Sequence, residues 1–324
     1  MRIDLPGLFD LQVNGFGGID FNEPDLAADR VAEAVERMRA TGVTRCLPTL
    51  ITSSFARFAA SARAASRADS SAIAGIHMEG PYLSPEDGAR GAHPRAHVIP
   101  ASVDDFARRQ DAAGGRIVLV TLAPEVPGAV ALIEHLVASG VRVAIGHTAA
   151  EPSQIRDAVA AGATLSTHLG NGCAQMLPRH PNVIWEQLAA DALMASLIVD
   201  GHHLPPSTVK AIVRAKGARR TILVTDAIAA AGCRPGRYSI GGVDCELGEN
   251  GRVSLPGTPY LAGSSLTMDR AIVNTVRFTG LPIDDVIPMA STMPASYLGT
   301  TTAGTVTAEW DEGARELQIR RVTS

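Results

Sequence analysis

The stretch 162–172 reads G-A-T-L-S-T-H-L-G-N-G and predicts a strand that runs directly into a chemically active loop. Small and β-favouring residues end at His168, and the Gly- and Asn-containing loop that follows extends to Arg179. A histidine at a strand end is typical of a metal ligand or a proton carrier. An arginine eleven residues later is typical of an anion-binding group. The segment 167–179 therefore predicts a functional loop, provided that other strands bring partners to the same place.

The same strand-then-loop pattern recurs along the chain. Short β-rich runs alternate with longer segments, rich in Ala and Arg, that have helical periodicity. Strands are predicted at 8–13, 44–49, 73–78, 117–122, 141–145, 164–167, 195–199 and 221–225. Helices are predicted at 25–41, 54–68, 103–112, 128–139, 151–161, 205–216, 266–280 and 283–297.

Eight strands, most of them followed by a helix, predict a (β/α)8 TIM barrel over residues 1–299. A doubly wound open sheet is the alternative, but no G-x-G-x-x-G follows the first strand, as a dinucleotide-binding fold would prefer. Residues 236–258 predict a β-hairpin insertion with its turn at 249–251, E-N-G. The tail, 300–324, alternates weakly, which is a pattern of strand pairs outside the barrel.

Composition and charge narrow the class of protein. A chain of 324 residues, 46% hydrophobic and with 31 glycines, can bury a large core. The net charge of −4, without long runs of one sign, argues against nucleic acid or a membrane as the main partner. Four cysteines without C-x-x-C spacing favour reduced thiols. With no signal-peptide pattern and no apolar run of ~18 residues, we expect a cytoplasmic protein.

Polar residues that can bind a metal or carry protons fall at the predicted strand ends. In a barrel of this kind the carboxyl ends of all strands face one rim, where the active site lies. Taken singly, a histidine at a strand end is more often a structural residue, and an aspartate there is often a helix cap. The joint occurrence of several such residues predicts a site. They are Gln12 and Asn14 after the first strand, Glu79 after the third, His147 after the fifth, His168 at the sixth, Asp200 and His203 after the seventh, and Asp226 after the eighth.

Two histidines and a glutamate on three strands predict a site for a divalent transition metal. Glu79, His147 and His168 can hold such an ion and leave a position open for water. The metal would lower the pKa of that water from ~16 towards ~7. Asp226 is predicted to accept the proton of the water and to return it to a leaving group. Q-V-N stands after the first strand in place of H-x-H, and neutral amides are poor zinc ligands, so one metal is expected.

An ordered set of motifs resembles one family along nearly the whole chain, from residue 6 to about 299. It is similar to the N-acetylglucosamine-6-phosphate deacetylase family of the amidohydrolase superfamily. No single motif is decisive, but their order is highly specific. The motifs are P-G-L-F-D-L-Q-V-N-G-F-G-G-I-D-F-N (6–22), H-M-E-G-P-Y (77–82), G-A-H-P (91–94), G-H-T (146–148), T-H-L-G-N (167–171), V-D-G-H-H (199–203), L-V-T-D-A (223–227) and L-A-G-S-S-L-T-M (261–268).

The resemblance implies a role for each residue that matches a family motif. The metal, Zn²⁺ or Fe²⁺, would be held by Glu79, His147 and His168. Asp226 would act as general base and then general acid, and His93 would polarise the acetyl carbonyl. Arg179 would bind the phosphate. The substrate-binding residues would be Ala92, His93, Asn171, Gly172, Arg179, His203, Leu261, Ala262 and Gly263. A homodimer is expected as well, because the site lies near a dimer interface in several members.

The chain also departs from the family pattern. Members carry a longer segment before the first motif, which builds a small β-sandwich together with the C-terminal tail. Here that motif begins at Pro6, so the sandwich is expected to be reduced or absent. Gly170 and Gly172 replace a Phe and an Ala that are common in the family, which would open the loop beside the metal.

The resemblance implies hydrolysis of N-acetylglucosamine 6-phosphate to glucosamine 6-phosphate and acetate. An alternative keeps the chemistry but changes the substrate to a related N-acyl amino sugar, such as N-acetylgalactosamine 6-phosphate, or another small amide that the glycine-opened loop would admit. A second alternative is a sugar-phosphate-binding protein without turnover. Release of acetate separates the hydrolase from the binding protein.

Overall fold

The computed structural model describes residues 1–323 and contains sixteen strands and ten α-helices within that range. The strands are β1 (Arg2–Pro6), β2 (Leu8–Val13), β3 (Gly15–Phe16), β4 (Ile19–Asp20), β5 (Val43–Ile51), β6 (Ile76–Glu79), β7 (Ile117–Leu122), β8 (Arg142–Ile145), β9 (Leu165–Ser166), β10 (Met194–Leu197), β11 (Thr221–Leu223), β12 (Gly236–Ile240), β13 (Val243–Leu247), β14 (Val253–Ser254), β15 (Thr305–Asp311) and β16 (Glu316–Thr323). The helices are α1 (Ala28–Met38), α2 (Phe55–Arg67), α3 (Val103–Ala112), α4 (Ala129–Ala138), α5 (Pro152–Ala160), α6 (Val183–Ala189), α7 (Pro206–Lys216), α8 (Met268–Thr279), α9 (Ile283–Val286) and α10 (Thr292–Tyr297). None of the helices within 1–323 is both long and apolar enough to cross a membrane.

Eight of the strands form the predicted parallel barrel, and that prediction is confirmed. Their order is β2-β5-β6-β7-β8-β9-β10-β11, with every neighbouring pair parallel. The strands of the sheet are buried almost throughout, as expected for a parallel sheet covered by helices. All carboxyl ends therefore lie at one rim of the barrel.

The seam between the first and last barrel strands is closed differently from the other junctions. Along the described chain, β2 and β11 share no ladder, and a single parallel bridge joins Val13 to Ala227 just beyond them. The amide of Asn14 donates to the Ala227 carbonyl at 2.7 Å. The amide of Asp226 donates to the Gln12 carbonyl at 2.8 Å. The seam thus places Asp226 directly against the end of β2.

The predicted element bounds differ from the structure in two instructive places. Helix α6 was not predicted because it has only seven residues. The Asn182 side chain caps it by accepting from the Ile184 and Trp185 amides. The helix predicted at 283–297 is broken into α9, a 3-10 turn and α10. Pro288 and Pro294 explain the break, because proline lacks the amide hydrogen that a continuous helix needs.

The insertion after β11 is a three-stranded antiparallel sheet, β12-β13-β14. The predicted turn at 249–251 is the connection from β13 to β14. The tighter turn between β12 and β13 was missed, and it lies at Gly241 and Gly242. Both have positive φ, 56° and 85°, which matches the two-residue hairpin turns that favour Gly-Gly.

The two ends of the described chain meet in a separate sheet beside the barrel. Strand β15 pairs antiparallel with β1 on one side and with β16 on the other. Trp310 of β15 is buried beneath this sheet, and its indole nitrogen donates to Glu312. The amino group of Met1 donates to the Trp310 carbonyl, so the first residue is held by the tail.

The two tryptophans offer a matched test of the contribution of this sheet to stability. Trp310 is 1% exposed and Trp185 is 54% exposed. We expect Trp310→Ala to lower the free energy of unfolding by about 3–5 kcal/mol, because it empties a packed site. Trp185→Ala should change it by less than about 0.5 kcal/mol. Chemical denaturation monitored by circular dichroism measures both, and equal effects would contradict this account of the sheet.

Candidate metal and catalytic site

The three predicted metal ligands converge at the rim of the barrel. Glu79 ends β6, while His147 and His168 lie two residues beyond β8 and β9. Glu79 Oε1 is 3.3 Å from His147 Nε2 and 3.1 Å from His168 Nε2. The two imidazole nitrogens are 3.1 Å apart. One ligand atom from each residue thus lies within 4.8 Å of the others, with all three side chains buried.

Backbone strain marks the residues that aim into this site. His147, His168 and Asp226 have φ of 50°, 30° and 48°, values that cost non-glycine residues roughly 1–3 kcal/mol each. Hydrogen bonds hold two of these backbones in place. The His168 amide donates to Ser196 Oγ at 2.8 Å, and the Asp226 amide donates to the Gln12 carbonyl at 2.8 Å. The strain turns each side chain from its strand end towards the mouth of the barrel.

The protonation of the ligand set fits a divalent metal. His147 Nδ1 donates to the Ala89 carbonyl at 3.1 Å, so its ring keeps a lone pair on Nε2, the atom that faces Glu79 and His168. Burial raises the pKa of Glu79, but the neighbouring His147 and His168 side chains outweigh it and hold the pKa well below its usual range. A carboxylate and two imidazole nitrogens are ligands that Zn²⁺ and Fe²⁺ accept.

Gly172 has a direct steric reason to be glycine in this structure. A Cβ there would lie 2.8 Å from His147 Nδ1, and φ is +58°. Gly170 has a different neighbourhood, because its Cβ would meet Leu204 Cδ2 at 2.9 Å. Gly170 does not line the cavity beside the metal ligands. The space that Gly170 leaves therefore lies against Leu204.

Asp226 is held beside the ligand cluster by two neutral amides. Asn14 Nδ2 donates to its Oδ1 at 2.7 Å, and Gln12 Nε2 donates to the same atom at 3.1 Å. Gln12 Nε2 also donates to Glu79 Oε1 at 2.8 Å. Burial, followed by the nearby charge of Glu79, raises the pKa of Asp226 above its ordinary value. The side-chain amides of Gln12 and Asn14, at the end of β2, therefore orient both carboxylates, a role that was not predicted for them.

His93 enters the site from the long loop after β6. Its Nε2 is 3.2 Å from His147 Nε2, and its Nδ1 is 3.0 Å from Thr52 Oγ1. Burial, with His147 as the next cause, lowers the pKa of His93 to about 3, so the ring is neutral. When Nδ1 accepts the Thr52 hydroxyl hydrogen, Nε2 carries the ring proton and can donate it towards the site.

These residues open into a cavity of about 220 Å³. Its wall includes every predicted metal and catalytic residue. The predicted substrate-binding residues on its wall are Ala92, His93, Asn171, Gly172, His203, Leu261, Ala262 and Gly263. Residues that the sequence analysis missed are Ile51, Ile198, Ile240, Gly241 and Val243. The last three belong to the β12–β13 turn, and the Gly241-Gly242 pair was the signal that could have revealed it.

Arg179 is the one predicted substrate-binding residue that is absent from the cavity wall. It lies in an exposed loop and its side chain faces solvent in the single chain. His203, by contrast, is fixed on the wall, because its Nδ1 is 2.7 Å from Asp200 Oδ2. Asp200 Oδ1 also accepts from the amides of His202 and His203. These bonds hold the pKa of Asp200 below its ordinary value against the opposing effect of burial.

Comparison with known proteins assigns the chain to a family. The amidohydrolase family model matches residues 3–311. The chain is 33% identical over 315 residues to the N-acetylglucosamine-6-phosphate deacetylase of Lysinibacillus sphaericus, covering 96% of this chain and 80% of that protein. It is 33% identical over 299 residues to the N-acetylgalactosamine-6-phosphate deacetylase of Escherichia coli O157:H7, covering 91% and 78%.

A solved structure is similar over almost the whole chain. It is a point mutant of the N-acetyl-D-glucosamine-6-phosphate deacetylase from Mycobacterium smegmatis, in complex with N-acetyl-D-glucosamine-6-phosphate. The TM-score is 0.90 at 32% sequence identity, with 99% of this chain and 85% of that chain covered.

The ligand geometry predicts how metal content depends on Glu79. Glu79→Gln should weaken divalent-metal affinity on the order of 10- to 100-fold, because it replaces a carboxylate with a neutral amide. His135→Gln, on α4 outside the site, is the matched control and should retain the parental metal content. Elemental analysis after dialysis against a metal buffer measures both. Parental metal content in Glu79→Gln would contradict this assignment of the site.

Proposed function

The chain belongs to the amidohydrolase family, and we propose that it deacetylates N-acetylglucosamine 6-phosphate to glucosamine 6-phosphate and acetate. The observation that carries the proposal is the placement of Asp226 beside the Glu79–His147–His168 cluster, in a cavity next to His93. Relatives that carry this activity match the chain over most of its length. The enzyme is accordingly a metal-dependent amide hydrolase.

One divalent metal ion, Zn²⁺ or Fe²⁺, would be held by Glu79, His147 and His168. When bound, it supplies a Lewis acid for the amide carbonyl and lowers the pKa of a water molecule. Gln12 supports the ligand set through its hydrogen bond to Glu79 Oε1. The Ala89 carbonyl does the same for His147 by fixing its tautomer.

Asp226 moves the proton in the proposed reaction. Asn14 and Gln12 both donate to Oδ1, so Oδ2 keeps its lone pairs for the attacking water. A raised pKa suits a carboxylate that first takes a proton from water and then delivers it to the leaving nitrogen. His93 donates from Nε2 to the developing negative charge on the carbonyl oxygen. Such a donor can lower the barrier by ~3 kcal/mol.

The sugar would occupy the remainder of the cavity. Asn171, the Gly172 amide and the segment 261–263 are proposed to contact the sugar, and His203 to contact the sugar or its phosphate. Ala92 lies beside His93 on the same wall. Recognition by backbone and neutral groups here would leave the phosphate charge to a cationic residue.

Arg179 is proposed as that cationic residue, and its exposure requires a second protomer. A homodimer in which the Arg179 loop of one protomer reaches the cavity of its partner accounts for both the exposure of Arg179 and its proposed contact with the phosphate. An exposed apolar side chain in this loop supports a covered surface, because Met176 is 90% exposed. We further propose a cytoplasmic enzyme, consistent with the four cysteines, none of which is paired within residues 1–323.

N-acetylgalactosamine 6-phosphate is the second candidate substrate, because a relative of similar identity is named for it. The two sugars differ in the orientation of one hydroxyl, so contacts to that group decide between them. A screen of both phosphates and of their unphosphorylated forms for acetate release tests the proposal. The highest kcat/KM is expected for N-acetylglucosamine 6-phosphate, and a preference for an unphosphorylated amide would overturn it.

Removing the proton carrier should stop turnover without removing the site. We expect Asp226→Asn to lower kcat by about 10²–10⁴-fold, because the amide cannot take the proton from water. Metal content and substrate affinity should stay close to those of the parent protein. Steady-state acetate release and isothermal titration measure the two properties. A residual kcat within about 10-fold of the parent would exclude Asp226 as the proton carrier.

Removing the proposed phosphate anchor should affect only phosphorylated substrates. Arg179→Ala is expected to raise KM for N-acetylglucosamine 6-phosphate by about 10- to 100-fold, since a charge-assisted hydrogen bond is lost. KM for N-acetylglucosamine should change little. Arg63→Ala, an exposed arginine on α2, is the control and should leave both values unchanged. Equal increases for the two substrates would rule out a phosphate contact.

A further inference from the structure

A buried carboxylate lies behind the site and is not part of its wall. Asp10, in the middle of β2, is fully buried and does not line the cavity. It accepts three hydrogen bonds. The Gln12 amide donates to Oδ1 at 3.2 Å, the Thr225 amide donates to Oδ1 at 3.2 Å, and the Thr225 hydroxyl donates to Oδ2. All three donors therefore belong to the two residues that flank the seam of the barrel.

The Asp10 side chain takes the place of a strand ladder at that seam. Within residues 1–323 the other seven junctions of the barrel are strand ladders, whereas β2 and β11 share no ladder and the seam has a single parallel bridge, from Val13 to Ala227. The Thr225 amide, which a neighbouring carbonyl would accept in a regular parallel ladder, is accepted by the Asp10 carboxylate instead. A side chain thus joins the first and last strands next to the catalytic residues, in addition to the backbone bond from the Asp226 amide to the Gln12 carbonyl.

Both partners of Asp10 act directly on Asp226. Gln12 accepts the Asp226 amide through its carbonyl at 2.8 Å, and its side chain donates to Asp226 Oδ1 at 3.1 Å. Thr225 immediately precedes Asp226 in the chain. The backbone of Asp226 has a φ of +48°, a strained value that persists only where surrounding contacts hold it. We propose that Asp10 is a positioning residue for the general base, holding Gln12 and Thr225 so that the Asp226 carboxylate points at the reacting water. This role rests on the proposed function of Asp226.

The chemistry of Asp10 favours this role over a purely structural one. Burial raises the pKa of Asp10 to about 7 despite its three hydrogen bonds. Burying this carboxylate therefore costs the folded protein free energy. An apolar residue of similar size would avoid that cost, but it would leave the Gln12 amide, the Thr225 amide and the Thr225 hydroxyl without this acceptor. A polar acceptor is needed at this position to satisfy the Thr225 hydroxyl and two amides at once.

The test compares Asp10→Asn with the same substitution at Asp269, a half-buried carboxylate. Asp269 also accepts a threonine hydroxyl, from Thr267, but at the start of α8 and outside the site. Asp10→Asn should lower kcat for N-acetylglucosamine 6-phosphate by ~30-fold, because the base is displaced by a fraction of an ångström. KM and metal content should remain within about two-fold of the parent. Asp269→Asn should lower the melting temperature but leave kcat unchanged.

Two further variants keep the proposal testable if Asp10→Asn folds poorly. Thr225→Val removes the hydroxyl that donates to Asp10 Oδ2 and accepts from the Ala227 amide at 3.2 Å, and it should lower kcat by about 3- to 10-fold at unchanged KM. Asp10→Ala should be slower than Asp10→Asn, because asparagine still accepts the two amides through its oxygen. The proposal is overturned if kcat per metal-loaded site stays within two-fold of the parent in Thr225→Val or in folded Asp10→Asn. It is equally overturned if lost activity follows lost metal, since Asp10 would then act on the ligands. If instead Asp226→Asn fails to reduce turnover, the proposed function fails first, and the two failures are thereby distinguished.

Discussion

The convergence of Glu79 Oε1 with the Nε2 atoms of His147 and His168 is the constraint on which the site depends. Three buried groups with lone pairs approach within 3.1–3.3 Å of one another. Such an arrangement is unfavourable unless protons or a cation hold it together. The barrel can impose it because parallel strands deliver their ends to one rim, where each ligand is fixed by its own strand. Function therefore resides in the meeting of separate strands.

Rigid support behind these groups explains why the strained backbones persist. His147, His168 and Asp226 each occupy a left-handed conformation at a strand end. Amides from Gln12 and Asn14, with Asp10 behind them, hold the carboxylates in place without adding charge. Burial and the charge of Glu79 raise the pKa of Asp226, while the hydrogen bond from Asn14 lowers it. Gln12 and Asn14, at the end of β2, thus orient Asp226, the general base. Two histidines at these positions would instead have added ligands for a metal.

Much of the fold and of the candidate site could be predicted from the sequence. The other features could not be predicted, for physical reasons. The alternation of elements and the polar residues at strand ends suffice for the barrel and for the convergence of the ligands, since both follow from local periodicity. Helix α6 was missed because a seven-residue helix leaves little periodic signal. The amide of Gly241, on the cavity wall, donates to Asp20, and the amide of Thr225 donates to Asp10. Each of these bonds joins residues more than 200 positions apart in the sequence. Local pattern carries no information on such contacts, nor on the outward direction of Arg179.

The central claim is that the cluster and Asp226 form a working hydrolytic site. Elemental analysis of the purified protein, coupled to acetate release from N-acetylglucosamine 6-phosphate on the same sample, tests it most directly. We predict about one divalent metal per chain and one acetate for each amine formed, with both lost on chelation and restored by Zn²⁺ or Fe²⁺. Binding of the sugar phosphate without acetate release by a metal-loaded protein would contradict the claim and indicate a binding protein instead.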